Sequence, residues 1–506
     1  MTSARQIFRI VVVAIWLLSG HVQAQTERPI YHFAPIHGWA NDPNGLIQYN
    51  GQYHLFYQFY DGGWTLKDGR FKDPLVWGPM HWGHAVSKDL VHWHGLPVAL
   101  SPDKMIDHSE VQGMIFSGSV VFDRNNSSGL GTKENPPLVA IYTLADTFGP
   151  GSGQRQAIAY SLDGGTTWTK YAKNPVLPYN NTETFRDPQV FWFGRNIGWV
   201  MTIACGDHVC FYNSPNLRHW THVGDFGQAE VGIGTPWECP DLFPLKVVRN
   251  GKTETKWILI VSVRHGAPSG SFGTRYFVGD FDGKTFTNLA RPTDVKWLDY
   301  GSDFYAAKTW TPQGRSVQHR LLLGWMANWE YAKTMPASAY RGEMTVPREL
   351  TLQFDQTGYY LEQRPARSVL AAIEHHRITV KSAGITGTHI FKTSTAQEID
   401  VGFLAKQTAP AVTVNLFDTG SKHVTLKFDA STSEILVDRR GYDGYQFSTD
   451  KGPYRIPVTP VRGHIRLQIL LDRDSFEIFV NGGRQTFSAL VFPAKPTFAS
   501  VTVGPS

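Results

Sequence analysis

Helical periodicity is nearly absent from this chain. Its apolar residues recur instead in short alternating runs rich in Val, Ile, Phe, Tyr and Trp, cut by Gly, Asn, Asp and Pro. Tyr53–Phe59, Leu138–Thr143 and Trp257–Val263 are examples. Runs of this kind are stable only when paired with neighbours, so the body of the chain is expected to be all-β. A weak internal repeat narrows the choice. S-K-D-L-V-H-W begins at Ser87, S-L-D-G-G-T-T-W at Ser161 and S-P-N-L-R-H-W at Ser214, with a looser G-D-F-D-G-K-T-F at Gly279. The starts lie 74, 53 and 65 residues apart, each roughly one four-stranded sheet with its loops. A fixed turn closed by an aromatic, recurring at that interval, is the pattern of propeller blades. Chance recurrence of common turn residues is the competing reading, because the spacing is uneven.

Composition shifts after P-R-E-L at Pro347–Leu350. From Val369 onward Trp thins out and Thr, Ser and Val increase. His464–Leu471 and Ser475–Val480 alternate cleanly, and Asn481-Gly482-Gly483 supplies a hairpin turn. This part reads as an antiparallel β-sandwich. The first residues differ from both: Arg5 and Arg9 precede the apolar run Ile10–Leu18, and Val22-Gln23-Ala24 offers a cleavage site. The expected organisation is a secretory leader over 1–24, a propeller over 25–346, a linker over 347–368 and a sandwich over 369–506. No other stretch approaches ~18 unbroken apolar residues, so the mature form is expected to have no membrane span.

Formal net charge is +5, and falls to +3 once Arg5 and Arg9 are removed, which gives no case for nucleic acid or anionic membranes as partners. Three Cys exclude a disulfide scaffold. Cys205 and Cys210 flank a tight hairpin, Gly206–Val209, and are either bridged or buried thiols. Cys239 is expected to be a packing residue whose modification would block a site at Glu238. Asn125, Asn126 and Asn180 stand in N-x-S/T patterns. Nothing fixes the oligomeric state.

The chemistry lies in three acidic segments: W-A-N-D-P-N-G at Trp39–Gly45, F-R-D-P at Phe185–Pro188 and W-E-C-P-D at Trp237–Asp241. Alone, Asn-Asp-Pro is ordinary turn chemistry. Together, Asp42, Asp187 and Glu238 form the set that glycoside cleavage needs: a nucleophile, a stabiliser and an acid/base. Trp237, Cys239 and Pro240 surround Glu238 with apolar groups, so its pKa is expected to be raised, as suits a general acid. His81, His84, His92 and His94 are dense, but no His-Glu-x-x-His or Cys-His pattern accompanies them, and they read as structural. Neither a metal nor a cofactor is expected.

These segments resemble glycoside hydrolase family 32, the invertases, inulinases and levanases. Y-Q-F at Tyr57, W-G-H at Trp82, F-S-G-S at Phe116, D-F-Y-A at Asp303, G-W-M-A-N-W at Gly324 and P-R-E-L stand in family order, and L-D-R-D-S-F-E-I-F-V-N-G at Leu471 resembles the family's sandwich. The resemblance implies a five-bladed β-propeller with its site in the central funnel, followed by a β-sandwich. It implies Asp42 as nucleophile, Glu238 as acid/base and Asp187 as transition-state stabiliser, kept ionised by Arg186. Asn41, Gln58, Phe116 and Ser117 would line a fructose pocket, with Trp77 and Trp325 as ring walls. Ala40 stands where many relatives carry Met or Ile, and a longer insertion over 61–75 bears on the leaving-group side. The implied activity is release of terminal fructose from levan, inulin or sucrose by a secreted retaining hydrolase. F-R-D-P-Q-V-F-W and S-D-F-Y-A-A resemble exo-levanases and exo-inulinases more than plant vacuolar invertases. A transfructosylase using the same carboxylates, and a catalytically silent fructan-binding propeller, are the alternatives.

Overall fold

The computed structural model describes residues 28–503 except 63–72, 108–109, 147–152, 180–183, 229–233, 292–293, 313–317, 382–386, 393–395, 407–410, 421, 441, 443–451 and 494–497, with backbone alone for 104–107 and 110–112. The leader over 1–24, most of the 61–75 insertion and Asn180 therefore lie outside the described residues. Asn125 is exposed, and Asn126 is tied by its amide to Gly131.

Up to Pro365, alternating apolar runs pair as expected into five sheets of four or five strands among the described residues, beside a two-stranded ladder. Each sheet is built mainly from consecutive strands, and the first strand of each lies innermost. These inner strands are Gly38–Tyr49, Met114–Phe122, Phe185–Gly194, Trp237–Arg249 and Tyr305–Thr309. Each packs against the next, and the last packs against the first, so the sheets form a ring. Tyr340–Arg341 runs parallel to Gly38–Trp39 and joins the late chain to the opening strand. This is a β-propeller.

The sequence repeat turns out to be a repeated turn. It joins the third and fourth strands of successive sheets. Ser87 Oγ accepts the Leu90 amide at 2.8 Å, and Trp93 Nε1 donates to Leu90 O at 3.1 Å. Ser161 Oγ accepts from Gly165 N at 2.8 Å and Trp168 donates back to Gly165 O at 3.0 Å. In the third sheet Ser214 Oγ accepts from Asn216 N, and Trp220 donates to Leu217 O. In the fourth, Asp282 takes the serine's place by accepting the Lys284 and Thr285 amides before Phe286. Side-chain oxygens thus satisfy backbone donors that the tight turn would otherwise strand.

The expected linker is corrected. Within 347–368, Arg348–Asp355 and Gly358–Pro365 pair with each other and with Arg320–Trp325, completing the fifth sheet. Composition shifts there because these strands face the second domain as well as the ring. A short helix, Arg367–Ile373, follows and leads into two packed sheets of five and six strands. The Ser475–Val480 and Gln485–Leu490 hairpin turns at Asn481-Gly482-Gly483, all with positive φ.

Sandwich and propeller meet backbone to backbone. Tyr300 N donates to Thr486 O at 2.9 Å, and Gln363 N to Gly483 O at 2.9 Å. A Cβ at Gly483 would stand 1.5 Å from Gln363 O, and one at Gly301 would stand 2.0 Å from Ser488 O, so both positions require glycine. Charge is buried in the same seam. Arg348, fully buried, donates to Asp299 Oδ2 at 3.0 Å and to Glu477 Oε2 at 2.5 Å. His32 bridges Asp472 at 2.9 Å and Glu477 at 3.0 Å.

Two outcomes are expected. Arg348→Met strands two carboxylates in a dry seam and should cost about 3–5 kcal/mol, read as a lower urea midpoint. Burial disfavours charge on His32, but its hydrogen bonds to Asp472 and Glu477 outweigh that and raise its pKa from 6.5 to about 10. A raised folded-state pKa stabilises the fold fully below the unfolded value and less as pH rises through the folded one. Melting temperature should therefore fall between pH 6.5 and about 10, and His32→Gln should flatten that slope.

Candidate active site

Every inner strand breaks register near its entry to the axis. The breaks fall between Asn41 and Pro43, Ile115 and Gly118, Arg186 and Gln189, Glu238 and Asp241, and Tyr305 and Lys308. A strand alternates its side chains, so without a bulge only every second residue faces the axis. The bulges let neighbours such as Asn41 and Asp42, or Glu238 and Cys239, both serve one pocket. Asp187, Cys239 and Ala306 take positive φ at these points, 67°, 50° and 51°. Each has its amide held by a side chain: Asp187 N by Thr143 Oγ1 at 3.0 Å, Cys239 N by Asp187 Oδ2 at 2.9 Å, and Ala306 N by Ser262 Oγ at 3.0 Å.

Asp42 is braced on both oxygens. Ser117 Oγ donates to Oδ2 at 2.6 Å and Asn41 Nδ2 to Oδ1 at 2.9 Å. Trp39 Nε1 donates to Asn41 Oδ1 at 2.7 Å, which fixes the amide's orientation. Cys239 Sγ lies 3.6 Å from Asp42 Oδ2 and 3.5 Å from Asp187 Oδ2. Burial and the two carboxylates push this thiol's pKa well up. It has 1% of its surface exposed and stands as a neutral spacer between two acids.

Two expectations about charge are corrected. Burial does push the Glu238 pKa up, but Arg186 and Arg264 outweigh it and hold it down at about 2. Arg186 Nη2 donates to Oε1 at 2.6 Å, Arg264 Nη2 to Oε1 at 3.1 Å and Nε to Oε2 at 3.2 Å, and the Tyr305 hydroxyl to Oε2 at 2.5 Å. Trp237 flanks Glu238 in sequence, but these polar groups flank it in space. Arg186 thus pairs with Glu238 rather than Asp187. Its charge still lowers the Asp187 pKa, yet burial, aided by Glu238 and Asp42, wins and raises Asp187 to about 6. Burial also raises Asp42, against the bonds from Ser117 and Asn41 and with the charge of Glu238.

Gln58 is buried and donates to Ile115 O at 3.0 Å, across the first and second sheets. Phe116 is half-buried and meets Trp77 edge-on, with ring centres 6.2 Å apart. Trp325 has no exposed surface: it packs behind Trp39 and Trp329, so its expected place as a pocket wall is corrected, and half-buried Trp329 is the ring nearer solvent. His81, His84 and His92 each have a partner, in Pro79 O, His54 and Asp89. Cys205 and Cys210 are bridged, and the hairpin between them gives Gly206 O to Trp237 N at 2.7 Å and takes Thr184 O on its own amide at 3.0 Å.

Sequence reasoning missed Arg264, Tyr305 and Thr143 as site residues. Tyr305 stood inside the quoted D-F-Y-A segment, whereas Arg264 and Thr143 carry no local signal, only a place at or near the end of a strand.

The comparisons agree with this architecture. The glycosyl hydrolases family 32 N-terminal domain pattern matches residues 32–365, and the family 32 C-terminal pattern matches residues 366–503. A levanase of Bacillus subtilis is 43% identical over 92% of this chain, which spans 66% of that protein, just under two thirds of its length. An extracellular exo-inulinase of Aspergillus ficuum is 36% identical, over 95% of this chain and 93% of its own length. The crystal structure of exo-inulinase from Aspergillus awamori superimposes with a TM-score of 0.84 at 33% identity, covering 96% of each chain. With both patterns matched end to end over a propeller and a sandwich, the chain belongs to glycosyl hydrolase family 32.

Proposed function

We propose that this protein is a retaining β-fructosidase that releases terminal fructose from levan- or inulin-type fructans and from sucrose. The reading rests above all on one observation: Asp42 and Asp187 both reach Cys239 Sγ, and Glu238 precedes it on the same bulge, so three carboxylates share one pocket at the ring axis. Asp42 is held by Ser117 and Asn41 as a fixed nucleophile for the anomeric carbon. Glu238 gives its proton to the departing oxygen, then takes one from the water that frees fructose from the covalent intermediate. Asp187 accepts fructose hydroxyls and stabilises the oxocarbenium-like transition state. Asn41, Gln58 and Ser117 shape the polar wall, and Phe116 with Trp77 the ring wall.

The levanase and exo-inulinase relatives support fructan as substrate, and the extracellular one supports export, as does the leader-like 1–24 segment. No helix among the described residues is long and apolar enough to cross a membrane.

A time course on levan, inulin and sucrose tests the reading: fructose alone should appear from the start. Longer products would mean transfer, and silence on all three would leave a binding module. Asp42→Asn should abolish turnover and Glu238→Gln should cost about 10²–10⁴-fold, with fructan binding retained by calorimetry. Undiminished rates in either variant would overturn the roles.

Asp42 and Asp187 must be anions to act. Asp187 has a pKa raised to about 6 by burial, so kcat, read in the complex where Glu238 holds its proton, should rise as pH climbs through about 6. Asp187→Asn should lower kcat/KM about 10²–10³-fold and move that acidic limb to lower pH, since Asp42 then ionises beside one fewer negative charge.

A further inference from the structure

Glu238 is gripped by two guanidiniums with different surroundings. Arg186 belongs to the wall: 9% of its side chain is exposed, and Nη1 also donates to Gln154 Oε1 at 3.2 Å. Arg264 follows directly on the strand Lys252–Val263, whose Ser262 is opposite Glu238 in register. It reaches the same carboxylate with two hydrogen bonds of 3.1 and 3.2 Å, but 43% of its side chain is exposed. One cation is fixed and the other lies over the carboxylate on its open side.

That open side is where a leaving group must lie. A departing oxygen can collect a proton from Glu238 only by coming within hydrogen-bond reach of it. Asp42 and Asp187 occupy the inner side, beyond Cys239, and the Tyr305 hydroxyl, 2% exposed as a residue, closes another. The exposed approach to Glu238 is the one Arg264 covers.

We propose that Arg264 is a positioning residue on the leaving-group side, which holds Glu238 in the empty site and exchanges that contact for the hydroxyls of the departing sugar when substrate docks. This rests on Glu238 being the general acid. It resolves a conflict in the site. A carboxyl held as low as about 2, where Arg186 and Arg264 outweigh burial, is a poor proton donor at moderate pH. The groups facing it are Arg186, Arg264, the Tyr305 hydroxyl, the Cys239 thiol and the Asp42 and Asp187 carboxylates. Withdrawing one cation leaves two negative neighbours and burial to raise its proton affinity, and solvent supplies the proton. Binding a leaving group thereby arms the acid. An empty site keeps it ionised.

The test compares two pH profiles on sucrose, because kcat/KM reports the free enzyme and kcat the complex. A general acid is lost as pH rises through its pKa, so it sets the basic limb of kcat; in kcat/KM, where it titrates below Asp187, it sets the lower inflection instead. In the unmodified enzyme the Glu238 inflection should lie at least about one pH unit higher in kcat than in kcat/KM. Arg264→Gln should move the lower kcat/KM limb up and narrow the gap, and Arg264→Lys should keep part of it. With an aryl β-fructofuranoside, whose phenolate departs without a proton, Arg264→Gln should slow turnover by less than about threefold, against about tenfold or more for sucrose. The absence of a gap in the unmodified enzyme would overturn the proposal without need of any variant. So would an unmoved limb in Arg264→Gln, or equal slowing on both substrates. Failure of the underlying assignment looks different: Glu238→Gln would then slow sucrose no more than the aryl fructoside.

Discussion

Converging strands are the constraint from which the rest of this structure follows. Five inner strands meet around one axis, and a regular strand would offer that axis only alternate residues. A bulge in each one presents consecutive side chains where the space is narrowest. Left-handed backbone at a non-glycine residue costs on the order of 1–3 kcal/mol. Asp187, Cys239 and Ala306 carry that strain, and Thr143, Asp187 and Ser262 offset part of it with side-chain hydrogen bonds. Asp187 serves twice, as a strained residue and as the brace for its neighbour on the next sheet.

Electrostatics then decides what each carboxylate is. All three are buried or nearly so, and burial alone would push each toward the neutral form. They differ in company. Glu238 has two guanidiniums and a phenol, Asp42 has a hydroxyl and an amide, and Asp187 has a backbone amide and a distant share of Arg186. Side-chain carboxyls therefore span a wide range of proton affinity within one pocket. A neutral thiol separates Asp42 from Asp187, where a second hydrogen-bonded acid would have forced them to share a proton.

Much of this was legible in the sequence. Alternation marked the strands, the Ser-to-Trp turns marked the blades, and Asp42, Asp187 and Glu238 stood out because proline and aromatics crowd them. Reading failed where contact depends on strands distant in sequence. Trp237 and Pro240 made the surroundings of Glu238 look apolar along the chain, yet Arg264 and Tyr305 reach it from two later strands. Arg186 adjoins Asp187 in sequence, but the positive φ of Asp187 turns the two apart and sends the guanidinium to Glu238. The last two strands of the fifth sheet passed for a linker, yet they pack Leu350, Leu352 and Leu361 on the ring and reach the sandwich through Arg348 and Gln363. The family resemblance of its segment makes Trp325 a ring wall, and only packing reveals that it stands behind another.

The seam also dictates an order of events. Ile30 and Tyr31 give their backbone amides to Asp472, and His32 its ring, across up to 442 residues of intervening chain. Those contacts sit directly upstream of Gly38–Tyr49, the strand against which the fifth sheet must close. Gly38–Tyr49 can pair at once with Gln52–Tyr60, but its closing contact with Tyr305–Thr309 and the tie of Ile30–His32 to Asp472 must wait for much later parts of the chain. Long-range pairing of this kind folds slowly. Fastening the ring's first strand thus depends on the part of the chain that is made last.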